Sequence, residues 1–557
     1  MAGLVVGIVA LPLAIAFAIA ASPGGDAEHT IGPGIGIITA IVAGLIISLL
    51  GGSRIQIGGP TGAFIVIIYG IVAKFGLSGL LVATILAGVM LVLMGVFRLG
   101  SVIKFIPYPI VVGFTSGIAL TIFTTQVKDL LGLTLEGGAP AAFIDKWMCY
   151  FRNITTLQWD AVAVSAVSIA IIVACTRWMK RLPGSLIAII VTTATVYFTN
   201  QSGLTHIATI GDRFGNITAS LPHINAFHLD WKSLFTDAQG HFTFNTLSAL
   251  LPSAFVIAIL GAIESLLSAT VADGVTGDHH DSNQELIGQG IANIVAPFFG
   301  GIPATGAIAR TMTNINNGAR TCIAGVVHAL VLLVIFIVAM PLAAYIPMPT
   351  LAGVLVVVSY NMSQWRTFAQ LTHRPKSDVV VLLVTFVLTV VFDLTIAIEL
   401  GLVLACLLFM RRMAEVTQLS IFTKEIDPNA DPVADIPLHE EALVIPDGVE
   451  VYEINGPFFF GVANRFEEMT AEMQDHPAIR IIRMRRVPFI DSTGVHNLEN
   501  LCLMSQRDGT QIILSGVQPK VRAVLERAGF PALIGEDNIC SHITLALERA
   551  AVLRHKS

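Results

Sequence analysis

Charge is what this chain has least of. Only 13% of its 557 residues are Asp, Glu, Lys or Arg, whereas 54% are hydrophobic and the mean hydropathy is +0.77. An ordinary soluble domain carries about 25% charged residues, so the composition excludes a soluble globular protein as a reading of the whole chain. No basic tract or stripe occurs and the net charge is only −6, which leaves no nucleic-acid partner to expect. Cysteine is sparse as well. Cys149, Cys175, Cys322, Cys406, Cys502 and Cys540 stand apart, without a CxxC pair, a His/Cys cluster or an even framework. That pattern supports neither a metal site nor disulfides. Nothing in the sequence calls for a cofactor, and no catalytic constellation is seen, so an enzyme is not expected. Met1 leads straight into an apolar run with no basic leader or A-x-A cleavage site, and the segment reads as a first span rather than a signal peptide.

What the chain has in abundance is apolar runs near the ~20 residues that cross a bilayer. They recur over 3–21, 32–50, 60–73, 77–97, 105–125, 159–176, 184–199, 246–272, 287–300, 305–317, 320–345, 349–362, 377–391 and 393–413. Fourteen spans divide into seven plus seven. An offset of about 244 positions carries span one onto span eight and span three onto span ten. An odd number of spans per half inverts the second half, so an inverted repeat is expected. Arg98 with Lys104, Arg177 with Lys180 and Arg181, Arg366 with Arg374 and Lys376, and Arg411 with Arg412 all fall on one side, which places both termini in the cytoplasm. The acidic loop from Asp273 to Glu285 falls on the same side and is an exception, but acidic residues weigh little in this rule.

Spans three and ten are too short to cross ~30 Å as helix. Each is opened by Gly and Pro: Gly58-Gly59-Pro60-Thr61-Gly62-Ala63 runs into Phe64, and Gly301-Ile302-Pro303-Ala304-Thr305-Gly306-Ala307 into Ile308-Ala309-Arg310. Extended chain is expected to complete them, at Ile55-Gln56-Ile57 and Phe299-Gly300-Gly301-Ile302. Irregular backbone at membrane depth is tolerated only where it lines a cavity. Paired interrupted spans in matching halves point to the substrate site of a secondary transporter. Each helix that starts inside the membrane offers free N–H groups and roughly half a positive charge, and two such ends aimed at one point suit an anion. Thr61, Gly62 and Ala63 belong to the first of these ends.

Glu264 stands mid-span, where translocon scales put the cost of an acid at roughly 2.5–3.5 kcal/mol. Protonation relieves that cost, so Glu264 is a candidate coupling residue; a neutral carboxyl bonded to neighbouring helices is the plainer alternative. Ser268 lies one turn further on the same face and could help hold a proton or cation. Arg310 reads as a charge facing the anion, as an arginine snorkelling to the surface, or as the partner of a buried acid. Asp393 and Glu399 read as helix contacts.

From about residue 414 the charge returns. Residues 414–447 hold four prolines and several acids and read as a linker. Residues 448–557 then alternate strand and helix: strands at 449–454, 479–484 and 511–515, helices at 463–473 and 493–506, and a further segment at 521–525.

The stretch Gly261-Ala262-Ile263-Glu264-Ser265-Leu266-Leu267 with Pro297 to Arg310 resembles the SulP anion permeases, a family of sulfate permeases that includes the animal anion exchangers. Phe489-Ile490-Asp491-Ser492-Thr493-Gly494 resembles the D-S-x-G turn of the STAS domain. The resemblance implies a polytopic helical transport domain over 1–413. Within it a core (about 1–104 and 246–345) moves against a gate (about 105–200 and 349–413), and an α/β STAS domain follows in the cytoplasm. It implies an anion site walled by Leu13, Phe17, Phe64, Ile308, Ala309 and Arg310. Relatives often carry a polar side chain where Leu13 stands and Ser where Ala309 stands, so backbone N–H groups and Arg310 take more of the recognition here. It further implies H+ or Na+ coupling at Glu264, an inner-membrane homodimer, and a serine at Ser492 that is phosphorylated in stand-alone STAS proteins, with a cytoplasmic protein as the module's partner. The expected function is H+-coupled symport of a small oxyanion such as sulfate. Bicarbonate or dicarboxylate carriage, and an anion channel or exchanger of the same fold, are the alternatives.

Overall fold

The computed structural model describes residues 1–22, 30–103, 107–135, 140, 142–178, 183–215, 245–392, 394–426, 443–460 and 477–554. It divides into two compact units, Met1–Ala405 and Cys406–Ser557. Hydrocarbon offers the backbone no partners, so apolar runs there close their hydrogen bonds internally as helices. The first unit is built that way: α1 (Ala2–Ala20), α2 (Pro33–Leu50), α3 (Ile65–Val96), α4 (Tyr108–Leu131), α5 (Trp159–Trp178), α6 (Gly184–Gln201), α7 (Asn245–Thr276), α8 (Ser282–Val295), α9 (Ile308–Asn316), α10 (Ile323–Ala343), α11 (Met348–Met362), α12 (Lys376–Val391) and α13 (Leu394–Val416), which runs on into the second unit. Helix α3 holds two of the expected spans, separated at Gly76, whose φ of 68° only glycine adopts readily. Pro33, Pro109 and Pro349 stand in first turns, where a missing N–H costs nothing. Among the described residues seven stretches are long and apolar enough to cross a membrane alone. Helices α8 and α9 are short because the irregular chain of the second break, 296–307, lies between them.

The helices pack in two groups. In the first, α1 packs on α2, α9 and α10, α2 on α8 and α10, and α7 on α9, while α3 lies against α7 and α8. In the second, α4 packs on α5, α11 and α12, and α5 on α6 and α11. Small residues let backbones approach: a Cβ on Gly88 of α3 would meet the Gly290 carbonyl of α8, and Gly117 of α4 faces Thr389 of α12. The groups meet where α1 touches α6 and α11 and where α3 touches α4.

Strands β1 (Gly58–Gly59) and β2 (Thr305–Gly306) belong to the first unit, and the second carries a five-stranded sheet of β3 (Gln418–Phe422), β4 (Val449–Asn455), β5 (Ile479–Arg486), β6 (Gln511–Ser515) and β7 (Ile539–Cys540), in that order. The β3–β4 pair is antiparallel and the others are parallel. Alternate side chains of β5 feed two cores: Ile482 and Met484 pack toward α14 (Ser492–Arg507) and α15 (Pro519–Arg527), Ile481 toward α16 (Ile543–Arg554). Residues 418–422, expected to lie in a linker, are instead the edge strand β3. The alternation of Leu419 and Ile421 with polar neighbours is a strand signal that the nearby prolines masked. The expected helix at 463–473 lies outside the described residues.

Candidate functional site

The two breaks meet. Gly58–Gly59 (β1) and Thr305–Gly306 (β2) pair antiparallel, Gly58 opposite Gly306 and Gly59 opposite Thr305, as an inverted repeat would have them. Hydrocarbon offers broken backbone no partners, so side chains must satisfy it. The first break is held by Gln56 Nε2 donating to the Ser265 carbonyl (3.2 Å), Asn314 Nδ2 donating to the Ile55 carbonyl (2.9 Å) and Thr311 Oγ1 accepting from Ile57 N (3.1 Å). The second is held by Asn293, which donates to the Ala304 carbonyl (2.8 Å) and accepts from its N–H (2.9 Å), and by Thr39 Oγ1 accepting from Ile302 N (2.9 Å). A side chain at Gly306 would collide with the Gln56 amide, which is the close approach that requires glycine there. Phe299, expected to be extended, sits in the short helical turn Ala296–Phe299, and the chain leaves helix only at Gly300, where φ is 76°.

From these breaks a 3₁₀ turn (Gly62–Phe64) enters α3, and Ala307 caps α9. Ala307 N is used by the Ile57 carbonyl (2.9 Å), while the N–H groups of Ile308, Ala309 and Arg310, in the first turn, have no intrahelical partner. Both starts open on one cavity of about 360 Å³. Its walls include Leu13, Phe17, Thr61, Gly62, Ala63, Glu264, Ile308, Ala309 and Arg310. Nine positions singled out in the sequence, scattered over some 300 residues, are thus brought together. Ala309 is exposed to the space between the two helix starts.

Two of the named positions are not in that wall. Phe64 is 1% exposed and its ring lies against Gly261 of α7, because the turn aims the side chain back into the helix packing. Ser268, one turn from Glu264, faces α9 and donates to Thr311 Oγ1 (3.2 Å). Of the two weaker candidates, Asp393 lies outside the described residues and Glu399 is exposed.

Arg310 is 2% exposed, so it does not snorkel. Its Nη2 donates to the Pro60 carbonyl (2.8 Å), tying the second half-helix to the first break, while Nη1 is buried without a hydrogen-bond partner beside Gly59, whose φ is 149° and where a Cβ would overlap it. Glu264 accepts from Thr61 Oγ1 at 2.9 Å. Among the described residues no ion pair joins Arg310 and Glu264, the one cation and the one acid of the cavity wall. Two helix N-termini plus a buried guanidinium leave the cavity electropositive, whereas Glu264 can carry or shed a charge beside it.

The second helix group supplies the remaining wall through Thr115 of α4, Val358, Asn361 and Met362 of α11, and Gln364. Sequence reasoning missed these. The polar run Asn361-Met362-Ser363-Gln364 closing an apolar span was the available signal. Exposed Asn361 and Gln364 mark the rim, at the end of the bundle where α4 begins and Ser116 Oγ donates to the Ser363 carbonyl (2.6 Å). At the opposite end Ser165 Oγ donates to the Leu130 and Pro349 carbonyls (3.2 and 3.1 Å), closing α4, α5 and α11 together.

In the second unit Asp491 caps α14, accepting from Gly494 N (2.8 Å) and Phe460 N (3.1 Å), and leaves Ser492 exposed in the first turn. No group of His, Cys, Asp and Glu among the described residues could hold a metal ion.

A helical membrane unit with paired broken spans about one central cavity, followed by a small α/β unit, defines the class. Residues 1–385 match the sulfate permease family and residues 442–548 the STAS domain, and the chain belongs to the sulfate permease family. It is 38% identical to YvdB of Bacillus subtilis (strain 168), a sulfate transporter by designation, over 97% of this chain and 95% of that protein. It is similar to the transmembrane domain of a cyanobacterial bicarbonate transporter, BicA, at 30% identity and a TM-score of 0.61, covering 71% of this chain and 96% of that one. The murine Solute Carrier 26 member A9 anion transporter shares the fold at 19% identity and a TM-score of 0.82, over 99% of this chain and 90% of that one.

Proposed function

We propose that this protein is a secondary-active anion transporter that moves a small oxyanion such as sulfate together with H+ across the inner membrane. The observation that carries the reading is the cavity itself: both half-helix starts and Arg310 converge on it from one helix group, and the other group supplies the facing wall. Fixed donors aimed at one point favour a negative ligand, and roughly half a charge from each helix end adds to the guanidinium. Alternating access follows if the first helix group is the core and the second the gate, with the cavity open in turn to each side. By the lysine and arginine rule the present rim faces the cytoplasm on this reading.

Glu264 is the coupling residue of this reading. Its bond to Thr61 connects the acid to the first half-helix, so taking up a proton changes the hydrogen bonding at the edge of the anion site. A second substrate reading, bicarbonate with Na+, is favoured by the similarity to BicA, and Thr61 with Glu264 gives such a cation two oxygens. The protein works as a homodimer on this account, and Ser492 is the regulatory position. A phosphate there would sit at a helix N-terminus, where negative charge is favoured, and alter binding of a cytoplasmic protein. Uptake of labelled sulfate, bicarbonate, chloride and succinate into proteoliposomes, with imposed H+ or Na+ gradients, tests the reading. Sulfate uptake driven by an inward H+ gradient is expected. Ohmic anion currents far above carrier turnover would overturn it in favour of a channel.

A further inference from the structure

At the end of the bundle opposite the cavity rim, a lysine is buried between the two helix groups. Lys146 belongs to the short helix Phe143–Arg152, which follows α4 and packs on it and on α12, in the second group. It is 4% exposed, and its ammonium lies over the ring of Tyr69, 4.9 Å from the centroid. Tyr69 is on the half of α3 that runs from the first break to Gly76, in the first group. Lys146 therefore makes a contact across the seam that must part if the cavity is to open to the other side.

The contact is chemically unusual. Among the described residues Lys146 has no carboxylate partner and donates no hydrogen bond. Tyr69 on α3 faces the ammonium; its own helix carries the exposed Asp145 with Cys149 and Tyr150, and Asp129 on α4, which interacts with Tyr150, is paired with Arg213 at 3.4 Å. Among the described residues helix α12 presents no charged group beyond Asp378; Asp393, just past its end, and Glu136, just past α4, lie outside the described residues. A ring face recovers only part of what an ammonium loses on leaving water, and without an anion the balance is unfavourable. The lysine amine is accordingly pulled down to about 8 by burial.

We propose that Lys146 on the Tyr69 ring is the outer gate charge of the transport cycle: closing the outer mouth buries an ammonium that has no carboxylate partner among the described residues, and opening it returns that charge to water, where it faces the incoming anion. The inference rests on the alternating-access reading above. The buried charge biases the closed contact toward release, and loss of its proton removes the bias. The sign follows from linkage. The closed form releases its proton near pH 8 and the solvated form near the ordinary lysine value, so raising the pH between those values favours the closed form, by about tenfold from pH 7 to pH 9.

Hydrogen exchange of the full-length protein in lipid vesicles, corrected for intrinsic rates, reads the contact through peptides covering 65–75 and 143–152. Wild type is expected to become about tenfold better protected there at pH 9 than at pH 7. Lys146→Met is expected to show the high protection already at pH 7 and no pH response. Lys146→Arg, charged throughout, should stay at the pH 7 level, and Tyr69→Leu should lower protection at pH 7 but not at pH 9. Faster exchange in Lys146→Met than in wild type at pH 7, or a pH response that survives in it, overturns the proposal. Anion uptake by the same vesicles separates the two readings: no uptake by wild type removes the transport reading, whereas uptake with unaltered exchange in Lys146→Met removes the gate.

Discussion

The two breaks occupy matching places in an inverted repeat, yet they have diverged in what they offer the cavity. The first contributes a hydroxyl, Thr61, bonded at 2.9 Å to the acid of α7. The second contributes the cation, Arg310, which reaches across at 2.8 Å to the carbonyl of Pro60. Their backbones are also held differently, the first by the separate side chains of Asn314 and Thr311 and the second chiefly by the paired bonds of Asn293. The two helix ends offer the same backbone polarity and differ in their side chains. One end holds a fixed positive charge, and the other is tied to a group that can change its charge.

If that division is real, damage to each end has a distinct signature. The largest effect is expected from Glu264→Gln, which keeps a hydrogen bond to Thr61 but cannot cycle a proton. H+-driven uptake should fall to background while anion affinity, measured by calorimetry on the purified protein, stays within about threefold. Uptake that still follows the pH gradient would take the first break out of coupling. Arg310→Ala should do the reverse and weaken anion binding by about 2 kcal/mol, or roughly thirtyfold, the worth of a charge-assisted bond. Equal affinity in the variant would remove the cation from the site. Asn293→Ala leaves the N–H and carbonyl of Ala304 unpaired and should cost about 2 kcal/mol of stability, read as a lower denaturation midpoint. Gln56→Ala at the first break should cost about half as much, since one bond is lost. A larger loss there would reverse the comparison. The smallest effect is expected of Thr61→Val: about 1 kcal/mol, seen as a roughly fivefold drop in H+-driven uptake at unchanged affinity.

The spans and both breaks were legible in the sequence because hydrocarbon allows few backbone solutions, and Gly-Pro interruptions violate them visibly. Glu264 and Arg310 stood out for the same reason, as ionisable residues in apolar surroundings. The Thr61–Glu264 bond was not legible, since 203 positions separate the partners and neither has a motif pointing to the other. Asn293 was passed over although a buried amide beside a broken span has little to do except hold its backbone, and so was the Gln56 amide, which ties the first break to the Ser265 carbonyl of α7. The second wall of the cavity was missed because Thr115 and Asn361 lie on spans whose apolar periodicity is ordinary. In the second unit, strand β3 was hidden by the prolines that follow it.

The most direct test of the account is a steric one. Ala309 is exposed to the cavity between the two half-helix starts, so Ala309→Phe can be housed without disturbing the helix packing while filling the space for the anion. The account predicts an unchanged thermal denaturation midpoint and loss of uptake for every anion that the wild type carries in proteoliposomes. Uptake within twofold of wild type, by a protein carrying that phenylalanine, would contradict it.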